Sequence, residues 1–228
     1  MTSPPVVLVH GLATTAERTW HQTGWLDLFA DAGRRTVAID LPGHGGAAKP
    51  HEAGAFDDLE AEVLSQFPDE PVDAVGFSLG ARILLTIAAG SPERFHRLVV
   101  AGVGRNLFET DIEHDAMIRR AVTGSPDADD PVAAHFAALA DDPDIDQRSL
   151  GALLTSSRPA LDAEVLAAVT CPVLVVLGEH DFAGPAEPLL DALPDVQFCP
   201  LRGVDHFATP KSFDFLAAAL EFLDAVPG

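Results

Sequence analysis

Short, continuously apolar runs alternate along this chain with stretches whose apolar residues recur at helical spacing. The runs at 6–9 (VVLV), 36–40 (TVAID), 73–77 (DAVGF), 98–102 (LVVAG), 172–177 (PVLVVL) and 196–200 (VQFCP) predict strands. Between them, 25–32, 56–67, 79–89 and 209–222 read as helices. Gly33 and Pro68 stop the first two, Gly90 and Pro92 the third, and Thr209-Pro210 supplies an N-cap and a first-turn proline for the last. Strands apolar on both faces and separated by helices point to a parallel sheet covered on either side. The expected fold class is α/β, with about six mostly parallel strands flanked by helices.

Between Arg105 and Ala168 this rhythm breaks. Helical patterns at 112–122, 131–140 and 148–154 are joined by the Asp/Pro-rich SPDADDP and DDPD, with no strand among them. The segment is too long for a loop and too poor in large apolar residues to fold alone. Residues 1–104 and 169–228 therefore predict one α/β core, and 105–168 a helical insertion. Leaving after the fourth strand and returning before the fifth, it lies over the strand ends where open α/β sheets bind ligands.

Candidate chemistry concentrates at those same strand ends. Gly76-Phe77-Ser78-Leu79-Gly80 is a G-x-S-x-G sequence at a strand-to-helix corner, where a sharp turn pushes the serine hydroxyl into solvent. A Cβ at either glycine would collide with the neighbouring strand or helix. A serine nucleophile needs a base and a carboxylate that orients it. Among nine histidines, His206 follows the sixth strand, and Asp181 follows the fifth. The order Ser78, Asp181, His206 suits this corner. Asp205 and His180 adjoin two of these residues, but side chains of consecutive residues diverge, so neither is expected in the triad. His10 is a structural candidate and not a base. Two backbone N–H groups are expected to hold an oxyanion: Leu79 at the start of the helix, and Leu12 in the loop after the first strand.

Composition narrows the classes. Fourteen basic against 35 acidic residues give a formal charge of −21, which repels nucleic acid and anionic membrane surfaces. Lys49 and Lys211 are the only lysines. No apolar run approaches the roughly 18 residues of a membrane helix. The N-terminal MTSPPVVLVHG lacks the charged region and cleavage site of a secretion signal. With only Cys171 and Cys199, there is no disulfide framework. A cytoplasmic protein acting on a small molecule is expected. No His/Cys/Asp cluster has metal-ligand spacing, and no metal or cofactor is expected.

His10-Gly11, Asp40-Leu41-Pro42-Gly43-His44-Gly45, the corner from Gly76 to Gly80, Asp181 and His206 together resemble the α/β-hydrolase superfamily. The resemblance spans nearly the whole chain outside the insertion, which corresponds to the family's variable lid. It implies a serine hydrolase cleaving a small ester, thioester or lactone. The family's two opening strands have no counterpart before Val6, which makes 36–40 an edge strand, with Arg34 and Arg35 discouraging intermolecular pairing. The resemblance to haloalkane dehalogenases and epoxide hydrolases fails at Ser78, where those enzymes require Asp. The chain also has no tyrosine for the epoxide hydrolases' lid. Gly80-Ala81-Arg82 resembles the Gly-Gly-Arg of the menaquinone-pathway lyase, so Arg82 could bind a substrate carboxylate or pair with a nearby one. Carbon–carbon bond hydrolysis and a binding-only receptor role stay open. Trp20, Trp25 and Phe108 are candidates to line the pocket, with core packing as the competing role.

Overall fold

The computed structural model describes residues 3–127, 129–156 and 161–227; the chain ends, Ala128 in the SPDADDP joint and residues 157–160 lie outside them. Six strands, β1 (Val6–Val9), β2 (Thr36–Ile39), β3 (Val72–Phe77), β4 (Phe95–Ala101), β5 (Val173–Gly178) and β6 (Val196–Leu201), form one sheet in the order β2-β1-β3-β4-β5-β6. Every neighbouring pair is parallel, and the register sets Val9 beside both Ile39 and Gly76. As expected from its sequence, β2 is an edge strand among the described residues.

Alternation along the strands divides the core into two layers. Val7, Val9, Ala74, Leu98, Val100, Val173 and Val175 face one side; Val6, Leu8, Val75, Val99, Leu174 and Val176 face the other. On the first side lie α2 (Leu59–Leu64), α3 (Leu79–Gly90) and α8 (Glu187–Ala192); on the second lie α1 (Trp25–Asp31) and α9 (Phe213–Phe222). The chain runs from β1 outward to β2, then returns to β3 on the opposite flank. The loop after β1 thus leads to a helix on one face, and the loop after β3 to a helix on the other. Such a divergence opens a crevice at the carboxyl ends of the strands.

Between β4 and β5 the chain forms α4 (Ile112–Val122), α5 (Pro131–Ala140), α6 (Gln147–Leu153) and α7 (Ala163–Leu166). Asp111, Asp130, Asp146 and Asp162 cap these four helices by accepting N–H bonds from residues two or three positions on. The α4 helix packs on both α5 and α6, whereas α7 packs against α3 and α8.

Three expectations change. The last helix begins at Phe213 and is capped by Ser212, not Thr209. Thr209 is buried, and its hydroxyl donates back to the Asp205 carbonyl at 2.8 Å, so residues 209–211 form a separate tight turn. Arg34 does not guard the edge; it is buried, paired with Asp73, and donates to the carbonyls of Pro4 and Leu223. Arg35 is the exposed one, paired with Glu70. No helix among the described residues is long and apolar enough to cross a membrane.

Candidate active site

Ser78 sits between β3 and α3 with φ +53° and ψ −113°, a left-handed conformation that costs a non-glycine residue on the order of 1–3 kcal/mol. Packing holds it there. A Cβ on Gly76 would lie 2.7 Å from the Ala81 backbone, and one on Gly80 would lie 2.2 Å from the Val9 carbonyl oxygen. Helix and strand therefore approach too closely for any side chain at either position.

The other two polar residues arrive from the ends of β5 and β6, beyond β4 in the same sheet. His206, in the loop after β6, is 3% exposed, and Asp181, after β5, is 8% exposed. The Ser78 hydroxyl lies 3.0 Å from His206 Nε2. His206 Nδ1 lies 2.9 and 3.0 Å from the two Asp181 carboxylate oxygens. An acceptor-only carboxylate requires the proton on Nδ1, leaving Nε2 as the acceptor facing the serine. Asp181 also accepts the Ala183 N–H at 2.9 Å, which fixes its orientation. Asp205 is turned away, capping the following turn through the Ala208 N–H at 2.8 Å, and His180 is exposed.

Leu79 opens α3, so its N–H belongs to the first turn, where helical amides have no carbonyl partner of their own. Leu12 lies in the loop after β1, directly opposite. A Cβ on the adjoining Gly11 would stand 3.3 Å from the Ser78 Cβ. Both Leu12 and Ser78 line two cavities that meet at the serine.

One cavity, of about 480 Å³, runs past Phe77 and His206 beneath His135, Phe136 and Leu139 of α5. The second, of about 520 Å³, lies along Leu79 and Arg82 toward α4 and the segment before it, with Asn106, Asp111 and His114 in its wall. Arg82 is half-buried; burial lowers its pKa, while Glu60 and Asp115 nearby act in the opposite direction.

Two pocket candidates are corrected. Trp20 is fully buried and lines neither cavity; its ring packs edge-on against Trp25 at 5.2 Å in the layer beneath α1 and α9. Phe108 packs on the opposite apolar layer and also lines neither. Trp25, by contrast, reaches the first cavity while its Nε1–H donates to the Pro210 carbonyl at 3.2 Å.

Sequence reasoning missed the aromatic collar around His206. Phe182 and Phe77 lie tilted against the imidazole at 4.3 and 4.9 Å, and Phe207 meets it edge-on at 5.6 Å. His135 of α5 stacks on Phe207 at 3.8 Å, and burial lowers its pKa. Phe182 and Phe207 each follow a triad candidate by one residue, which was an available signal. His135 carried none, being one polar residue in an apolar helix. Among the described residues, no group of three His, Cys, Asp or Glu side chains is placed to hold a metal ion.

A family model described as the alpha/beta hydrolase fold matches residues 4–170. The chain is 34% identical over 109 residues to the 2-hydroxy-6-oxononadienedioate/2-hydroxy-6-oxononatrienedioate hydrolase of Paraburkholderia phymatum, covering 43% of this chain and 36% of that protein. It is 35% identical over 119 residues to the 2-succinyl-6-hydroxy-2,4-cyclohexadiene-1-carboxylate synthase of Citrobacter koseri, covering 51% of this chain and 45% of that one. The alignments thus span less than half the length of these curated relatives. Among solved structures, it is similar to NosK from Streptomyces actuosus, with a TM-score of 0.73 at 26% identity over 99% of each chain.

Proposed function

The chain belongs to the α/β-hydrolase family, and from that premise we propose that it is a serine hydrolase cleaving a small carboxylic ester, thioester or lactone through an acyl-enzyme on Ser78. The observation that carries this reading is the unbroken series from Asp181 through His206 to Ser78, ending where the two cavities meet.

In that reaction His206 Nε2 takes the Ser78 proton as Oγ attacks the carbonyl carbon. The carbonyl π pair moves onto oxygen, and the Leu12 and Leu79 N–H groups receive the oxyanion. Asp181 keeps the imidazolium in place. When the tetrahedral adduct collapses, the bond to the leaving group breaks and His206 returns the proton to it. Water enters, gives a proton to His206 and attacks the acyl carbon; Ser78 then leaves with that proton and the acid is released. Each oxyanion donor contributes about 3 kcal/mol to lowering such a barrier.

A second reading, cleavage or elimination at a carbon–carbon bond of a carboxylate-bearing substrate, is favoured by Arg82 in the wall of the second cavity. A guanidinium is suited to two-point carboxylate binding. The names of the two curated relatives also denote polycarboxylate compounds. A panel of neutral p-nitrophenyl esters and carboxylate-bearing 6-oxo-dienoates, run on the wild type and Arg82→Met, separates the readings. Ester hydrolysis predicts a p-nitrophenol burst that Arg82→Met leaves intact. The second predicts turnover of the dienoates, with kcat/KM falling roughly 10- to 100-fold in Arg82→Met. A receptor role predicts turnover of neither.

A further inference from the structure

Two histidines that take no part in this chemistry stand directly behind the Leu12 amide. His10 and His44 are both 0% exposed, and their rings lie 5.0 Å apart. His10 Nδ1 is 2.7 Å from the Gly11 carbonyl oxygen, and its Nε2 accepts the Leu41 N–H at 3.0 Å. His44 Nε2 accepts the Ala13 N–H at 3.0 Å, and its Nδ1 faces the Pro42 carbonyl at 3.0 Å. Each ring is therefore neutral, with its single proton on Nδ1, since one nitrogen must donate to a carbonyl while the other accepts an amide. Desolvation maintains that state, lowering His10 to about 4 and His44 to about 3. The 3.7 Å approach of His10 Nε2 to Asp40 is accordingly not an ion pair.

The placement of these bonds matters more than their number. The planar peptide between Gly11 and Leu12 carries the Gly11 carbonyl on one edge and the Leu12 N–H on the other. A hydrogen bond to that carbonyl fixes the direction of the N–H and polarises it. The next peptide is held through the Ala13 N–H. Ala13 has φ +58°, a left-handed conformation that alanine does not favour by about 1–2 kcal/mol. The loop is tied by two imidazoles: His44, from the segment after β2, and His10, from the loop itself, which is anchored to that segment through the Leu41 N–H.

We propose that His10 and His44 are positioning residues for the oxyanion hole, clamping the two peptides on either side of Leu12 so that its N–H faces the Ser78 adduct. This rests on Ser78 as nucleophile and Leu12 as donor. Asp40 extends the clamp along the same loop, accepting the Ala16 N–H at 2.8 Å and, across the segment after β2, the Gly46 N–H at 2.9 Å.

The test compares His10→Leu, which removes the donor to Gly11, with His10→Asn, which keeps an N–H near the Nδ1 position. A fluorophosphonate probe reads the site without knowledge of the substrate: Ser78 Oγ bonds to phosphorus, fluoride leaves, and the serine proton passes to His206. The expected result is a phosphonylation rate about 10- to 100-fold slower in His10→Leu and largely recovered in His10→Asn, each read well below its own thermal midpoint. With a chromogenic ester the loss should fall on the acylation rate and kcat, with KM little changed. If His10→Leu does not fold, His44→Leu against His44→Gln gives the same contrast at the Ala13 amide. Labelling of folded His10→Leu at the wild-type rate overturns the inference, as does a His10→Asn variant as slow as His10→Leu. Failure of wild-type Ser78 to label overturns the serine-hydrolase reading itself, a result distinct from either.

Discussion

In the floor of the site, Ser78, His206 and Asp181 are joined at 2.9–3.0 Å, and the loops carrying them and Leu12 leave the same end of one parallel sheet, from β3, β6, β5 and β1. The roof is built differently. There α5 presents Ala133, Phe136 and Ala140, spaced to lie on one buried face, and α6 adds Leu150 and Leu153. Among the described residues its polar ties to the core include Arg18 to Asp142, His51 to Asp146, Lys49 Nζ to the Asp144 carbonyl at 3.2 Å, and the Asp146 N–H to the Gly43 carbonyl at 3.0 Å. Hydrogen-bonded groups fail when displaced by a fraction of an ångström, whereas apolar packing tolerates exchange of similar volumes. Under the proposed function, this contrast puts the reaction in the floor and the choice of substrate in the roof.

Substitutions can break that division. Ser78→Ala should lower ester turnover by about a million-fold while leaving the fold intact, measured as steady-state rate and thermal midpoint. A loss of only tenfold would remove the floor from the chemistry.

Acid should damage the floor next. His10 and His44 bind protons in the unfolded chain near pH 6.5 but, when folded, only near 4 and 3. Between those values the unfolded state holds more protons, so stability falls as pH drops below 6.5 and is fully present above it. Each proton contributes a slope of about 1.4 kcal/mol per pH unit. Urea unfolding at pH 7, 6 and 5 measures this slope, and His44→Gln should reduce it. A slope unchanged by that substitution contradicts the assignment.

Damage to the roof should be of another kind. Phe136 is 4% exposed and lines both cavities, so Phe136→Ala should cost about 3 kcal/mol of stability. Fluorophosphonate labelling of Ser78 in the folded variant should stay within a few-fold of wild type, while the preferred acyl-chain length shifts. The smallest effect is expected at Cys171, a buried thiol pushed up to about 11 mainly by desolvation. At pH 8 iodoacetamide should modify Cys199, partly exposed on β6, before Cys171.

The floor was far more legible in the sequence than the roof. Strand ends announce themselves through apolar runs: Gly76 sits within such a run, and Gly80, Asp181 and His206 lie three, four and six residues beyond one. Buried strands tolerate little else, so local pattern and tertiary position coincide. Where long-range packing decides, the pattern misleads. Arg34 looks like an edge charge because its partners Pro4, Asp73 and Leu223 are distant in sequence. Trp20 looks like a pocket residue until Trp25, one helical element later, takes the cavity side. Thr209-Pro210 has the composition of a helix start, but the bond from Thr209 back to Asp205 diverts it into a turn. The His135–Phe207 stack joins residues 72 positions apart, beyond the reach of any local signal.

The central claim, that Ser78 carries the acyl group, is tested most directly by acid-quenching the protein during turnover of p-nitrophenyl acetate and locating the adduct by peptide mass spectrometry. The account predicts one acetyl group on the peptide containing Ser78, absent in Ser78→Ala. Turnover that persists in Ser78→Ala, or acetyl found on a different residue, would contradict it.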